Sequence, residues 1–206
     1  MTATNATASR QYYFPFEFSP DSKQDRDFLN QLEFIPALKE ILTIRQVHAL
    51  EHATVWVLGE LADSATAKAS NESIGGMSTP QGFYLYGAVD PSQLDRAVEI
   101  ALRRITSGEW DLAVHPRCGT NLSVAMTLTA GLAFGINMFL PPRPIEQLLG
   151  FGIAVTAARQ LAPGLGIFTQ KYLTTAIPFN LRVINISPTK DLWGHNAHFV
   201  QVSWIN

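Results

Sequence analysis

Leu122 to Leu140, LSVAMTLTAGLAFGINMFL, is a run of 19 residues with no charge and only Asn137 strongly polar. As a helix it would reach about 28 Å, close to the roughly 30 Å of a bilayer's hydrocarbon core. Pro141, Pro142 and Pro144 then force a rigid break, and a second apolar stretch runs from Ile145 to Phe168, interrupted by Glu146, Arg159 and Pro163. A proline turn between two such stretches predicts a helical hairpin. The soluble alternative is a hairpin buried in a core. The length and neutrality of the first stretch favour a membrane pair. Basic residues stand before it (Arg96, Arg103, Arg104, Arg117) and after it (Lys171, Arg182, Lys190), with only Arg143 at the turn. That asymmetry predicts both termini on the cytoplasmic or equivalent side. Arg159, inside the second stretch, then needs a carboxylate, a carbonyl or a water-filled groove.

The rest of the chain reads as a small mixed domain. From Phe28 to Leu42 apolar residues recur at helical spacing, interrupted by Pro36, and a second helix is expected from Ile44 to Ala62. Ser64 to Ser78 is small and polar and reads as a loop. Gly75-Gly76 in it lacks the lysine of a phosphate loop. Gly82 to Gly87 encloses an aromatic strand, and Asp90-Pro91 opens a helix with an N-cap and a first-turn proline, closed by Ser107-Gly108. After Pro178 two alternating runs, Leu181 to Ile186 and Phe199 to Trp204, predict a β-hairpin joining the strand around Phe83. The expected class is α+β. Its parts are an extended, aromatic-rich arm (1–26, with Tyr12, Tyr13, Phe14, Phe16 and Phe18), a His/Cys domain (27–121), the hairpin (122–168) and a β tail packing back on the domain (169–206).

Composition removes several classes of function. With 47% hydrophobic residues the chain has ample apolar surface to fold, so it is not a disordered protein. Lys and Arg total 15 against 17 Asp and Glu, with no basic run, which argues against nucleic acid as a partner. Met1 to Arg10 has neither the basic start nor the apolar run of a secretion signal. One cysteine, Cys118, excludes an intrachain disulfide framework and leaves a buried filler, a reactive thiol or a metal ligand.

The five histidines carry the chemistry. His48, Glu51 and His52 form H-x-x-E-H on a predicted helix, where residues four apart share a face and both imidazoles can reach one ion. In the inverted zincins this order supplies two zinc ligands and a carboxylate that activates water. Two half-exposed histidines beside a solvated glutamate would be the plain alternative. His115 and Cys118, in His-Pro-Arg-Cys-Gly, form a second two-ligand knuckle. Together His48, His52, His115 and Cys118 are a tetrahedral set for Zn2+ or another divalent metal. Four ligands would make a closed, structural site. Three would leave a water position, with Glu51 as its base. His195 and His198 lie in a predicted turn and either approach this site or are ordinary turn chemistry. Nothing such as C-x-x-C-H supports haem attachment.

H-A-L-E-H-A-T, G-G-M-S-T-P-Q-G-F-Y-L-Y-G and H-P-R-C-G-T-N ahead of the apolar run together resemble an uncharacterised cyanobacterial and plastid family of domains of unknown function, over about residues 45–140. The E-H-x-T and H-P-R-C-G-T pair is also similar to a wider family of uncharacterised bacterial membrane proteins. Ala53 departs from that wider pattern, which usually has lysine there. The resemblance implies a membrane location, a photosynthetic membrane among the settings, and convergence of His48, Glu51, His52, His115 and Cys118. It implies no reaction. Three functions are therefore expected to compete, in this order: a zinc-stabilised protein that binds in the assembly or maintenance of a membrane complex, a membrane zinc metallohydrolase with Glu51 as general base, and a haem, iron or redox-linked protein using the His/Cys ligands.

Overall fold

The computed structural model describes residues 36–62, 74–87, 89–191 and 193–205. The aromatic arm and the helical pattern before Pro36 lie outside these residues, as does the loop from 64 to 73. The fold is mixed helix and sheet. Helix α1 (Pro36–Leu61) is followed by strands β1 (Gly75–Thr79) and β2 (Gly82–Tyr86), helix α2 (Pro91–Thr106) and a 3-10 turn at Trp110–Ala113. Two long helices come next, α3 (Gly119–Phe139) and α4 (Pro144–Thr169). A π turn at Gln170–Thr174 leads to strands β3 (Leu181–Lys190) and β4 (Asn196–Trp204).

Two local expectations need correction. α1 runs unbroken through Thr43, where the sequence predicts a break between two helices, because no glycine or proline lies between Ala37 and Leu58; the Thr43 hydroxyl donates to the Lys39 carbonyl at 2.7 Å. The stretch read as loop up to Ser78 ends in a strand, β1, which pairs antiparallel with β2 from Gly75↔Tyr86 to Thr79↔Gly82. Asp90 caps α2 as its sequence implies, accepting from the Ser92 and Gln93 amides.

The strands form one antiparallel sheet in the order β1-β2-β4-β3. β4, close to the chain's end, pairs with β2 (Phe83↔Val200) and so joins the two halves of the domain across the helical hairpin. Pro188 is tolerated because β3 is an edge strand. Side chains alternate across the sheet: Phe83, Leu85 and Val200 are fully buried, while Tyr84, Tyr86 and Phe199 are half-buried on the other face. The core lies between the buried face and α1, with α2 packed on α1 through Leu94, Val98 and Ile105. α1 is enclosed on nearly all sides between Val47 and Val55, so its polar residues there need partners within the protein.

The hairpin of α3 and α4 packs chiefly on itself. Both helices are long and apolar enough to cross a membrane. No residue of α3 is buried. Large apolar side chains point outward along both helices, among them Met126, Phe134, Leu148 and Ile153. Among the described residues nothing covers them. Its interface is built from small residues: Gly150, Ala154, Ala158, Ala162 and Gly166, each four residues on, are the buried positions of α4. A Cβ at Gly150 would collide with Asn137 and one at Gly166 with Asn121, both on α3. Close backbone approach over small residues is how helices associate where lipid removes the hydrophobic incentive. Arg159 is exposed near the middle of α4 and makes no hydrogen bond or ion pair among the described residues.

Candidate metal centre

The middle of α1 presents His48, Glu51 and His52 to a cleft of about 330 Å³, closed on its other sides by β1 and by the His115–Thr120 turn. Each imidazole is held by its Nδ1. That of His48 donates to the Thr174 carbonyl at 3.0 Å, and that of His52 to the Ala113 carbonyl at 2.6 Å. Carbonyls only accept, so Nδ1 carries the proton of the neutral ring in both and leaves Nε2 as the nitrogen that faces the cleft's sulfur or an ion. Cys118 Sγ lies 3.3 Å from His48 Nε2. The ligand atoms of His48, His52 and Cys118 all lie within 4.8 Å of one another, a group able to hold a metal ion. Backbone carbonyls that fix the tautomer of ligating histidines are the usual outer shell of a metal site. The same arrangement makes the thiol acidic. Burial pushes its pKa up, but the His52 hydrogen bond and charge, with Thr120, outweigh this and hold it below the usual value.

The turn that delivers Cys118 is fixed by two side-chain amides, Gln170 buried and Asn121 half-buried. Gln170 accepts from the His115 amide at 2.8 Å and donates to Asn121 at 2.7 Å, and Asn121 in turn donates to the Pro116 carbonyl at 2.8 Å. Cys118 then caps α3, its Sγ accepting from the Thr120 amide. Neither Gln170 nor Asn121 is a site residue by sequence reasoning. The signal they carry is a polar amide at the start of one apolar helix and at the end of the other.

Glu51 lies in the same cleft and is 8% exposed. Ser78 of β1 donates to its Oε2 at 2.5 Å. Burial raises the carboxyl's pKa, against the lowering effects of Ser78 and of the nearby His48. Gly76 makes this approach feasible, since a Cβ there would overlap the Glu51 carboxyl.

His115 is placed differently from the other three candidate ligands. It lines the cleft, with its ring 5.8 Å from that of His52 and edge-on to Trp56 at 5.0 Å, but it is not in the three-residue group. Its Nδ1 accepts the Arg117 amide at 3.3 Å, which puts the proton of the neutral ring on Nε2. Burial first, then the His52 and Arg117 charges, push its pKa down to about 4. His195 and His198 line no part of the cleft. His195 is bound to Asp191 at the β3–β4 turn, and His198 sits in β4 opposite Leu85.

An α+β domain carrying an apolar helical hairpin and a His/His/Cys cluster thus defines the type of protein. Residues 43–186 match the family described as a domain of unknown function, DUF6391, and the chain belongs to that family. It is similar to an uncharacterized protein of the cyanobacterium Picosynechococcus sp. (strain ATCC 27264 / PCC 7002 / PR-6), with 51% identity over 189 residues, covering 91% of this chain and 92% of the relative. No solved structure matches it.

Proposed function

We propose that this protein is an integral membrane zinc metallohydrolase, acting on an acyl bond of the ester or amide type. The observation that carries the reading is the convergence of three ligand atoms, two of them imidazole Nε2 atoms with their Nδ1 protons engaged, beside the buried carboxyl of Glu51. Three protein ligands with an open fourth position are the mark of catalytic zinc, whereas four close the shell. A zinc ion held by His48, His52 and Cys118 would supply a Lewis acid and acidify a water. Glu51, held by Ser78 beside those ligands, would take the proton of the attacking water and pass it to the leaving group.

The alternative, a binding protein for assembly or maintenance of a membrane complex, rests on a closed four-ligand shell. His115, with its Nδ1 already accepting, does not favour that count. The membrane setting is supported by the outward apolar surface and small-residue seam of the hairpin. Because β2 and β4 are hydrogen-bonded, the flanks of the hairpin lie on one side of any bilayer it crosses. The basic residues on both flanks favour the cytoplasmic or stromal side. The cyanobacterial relative makes a photosynthetic membrane the proposed setting.

The test is metal content and activity on detergent-purified protein. One zinc per chain is expected, lost in Cys118→Ser and kept in Glu51→Gln, with hydrolysis of model acyl esters and amides lost in both. A Glu51→Gln protein that keeps its zinc and functions normally in complementation would exclude the hydrolase and favour the binding role.

A further inference from the structure

A second cavity lies directly below the metal cleft, at the level of the helical hairpin. It has a volume of about 540 Å³ and is lined by Thr120, Val124, Thr127 and Leu128 of α3 and by Leu165 and Thr169 of α4, with Thr174 at its head. No ionisable side chain lines it. It adjoins the site above. Thr120 lines both cavities, and Thr174, whose carbonyl fixes His48, lines the lower one. The two threonine hydroxyls stand 3.5 Å apart at the junction.

From this adjacency we infer that the lower cavity is the binding groove for a single acyl chain, and that the substrate is a membrane amphiphile whose acyl carbonyl reaches the His48/His52/Cys118 cleft. The inference deepens the hydrolase reading and rests on it for the reaction, although not for binding. Three observations select the occupant. Thr120 to Leu128 spans about 12 Å along α3, so the groove runs from the polar cleft inward past the first turns of an apolar helix. At that level the surrounding medium is hydrocarbon, and an occupant must be apolar along its length. The lining is also chiefly aliphatic, from Val124, Leu128 and Leu165, and offers no charged group along its length. An extended hydrocarbon chain matches that surface. In the reaction, water adds its hydroxyl to the acyl carbon, the bond from that carbon to the head-side oxygen or nitrogen breaks, and the proton travels through Glu51 to the departing atom. The products are a free carboxylic acid and an alcohol or amine.

The experiment uses the full chain in phosphatidylcholine vesicles, with and without zinc, photolabelled with a diazirine-bearing palmitate and mapped by peptide mass spectrometry. Labelling should concentrate on the half-buried Val124 and Leu128, at least fivefold over the outward-facing Leu122, Met126 and Phe134. Unlabelled palmitate should compete for it. It should fall at least fivefold in Val124→Trp, with Ser123→Phe as a second, milder obstruction. Label spread evenly over the outward residues, or unmoved by either substitution, would overturn the groove. Focused labelling in a protein that hydrolyses no acyl compound would uphold the groove while removing the hydrolase.

Discussion

Substituting Gly76 by alanine tests whether the carboxyl of Glu51 is held where the chemistry needs it. A Cβ at position 76 would overlap Glu51 Oε1 and Cδ and stand 2.8 Å from its Cγ, whereas carbon pairs pack at about 3.5–4.0 Å. Relief has two routes. β1 can retreat, an overpacking strain of about 1–3 kcal/mol. Alternatively Glu51 swings away and gives up its hydrogen bond from Ser78, which costs about 1.5–3 kcal/mol for a charged partner and less for a neutral one. The smaller cost prevails, so Gly76→Ala should destabilise by about 1–3 kcal/mol, lowering the apparent Tm by roughly 2–12 °C for a chain of this size. Gly75→Ala is the control, because its nearest new neighbour is Tyr86 Cδ2 at 4.0 Å. The cycle is completed in a Glu51→Ala background, where the obstructing atoms are gone and Gly76→Ala should cost less than about 0.5 kcal/mol. Differential scanning fluorimetry in detergent reads all of these variants. An equal cost of Gly76→Ala in both backgrounds, or no cost at all, would refute the contact and with it the positioning of Glu51.

Two further outcomes follow from other parts of the molecule. His115 is held neutral by burial, with its pKa lowered from 6.5 to about 4. The unfolded chain therefore takes up its proton first, so stability that His115 contributes above pH 6.5 is lost as pH falls towards 4. Glu51, with its pKa raised, acts in the opposite sense, so the measurement compares metal-free wild type with His115→Gln. The variant's Tm should fall less steeply between pH 6.5 and 4, and parallel curves would contradict the assignment. Arg159 lies eleven residues before Gln170, about 16 Å into a bilayer if α4 crosses it, which is near the midplane. An exposed guanidinium there needs a carboxylate, a carbonyl or a water-filled groove. A second copy in parallel would bring arginine against arginine, so the partner expected is a carboxylate on a different chain. On native electrophoresis of extracted membranes the wild type should run in a larger assembly, from which Arg159→Leu is released. Identical migration would remove that partner.

The elements most evident from sequence are those with strong local signals. The uncharged run gives α3, Asp90-Pro91 gives the start of α2, and the alternating tail gives β3 and β4. β1 escapes because two glycines in five residues have poor strand propensity, and only its pairing with β2 makes it a strand. The site divides in the same way. Helical spacing is enough to place His48, Glu51 and His52 together. Spacing within a turn is not enough for His115, because Pro116 and the Arg117 amide decide which way its nitrogens are engaged. Gln170 and Asn121 act at long range, across 49 residues, and no local pattern announces such a pair. The four-residue repeat from Gly150 to Gly166 is written plainly in the sequence, but it acquires meaning only opposite Asn137 and Asn121.

The sheet order also sets a timetable for biogenesis. β4, an inner strand, is made after everything else in the sheet, and the Thr174 carbonyl that fixes His48 follows the hairpin in the chain. The ribosome therefore releases α1, with two ligands, long before the groups that orient them exist. Thr174 reaches His48 only once α4 has returned to the side from which α3 departed. A nascent chain ending within the hairpin would carry His48 without its carbonyl partner and β2 without its neighbour β4. A metal held by this cluster would then meet His48 in its final tautomer only after the hairpin has folded back.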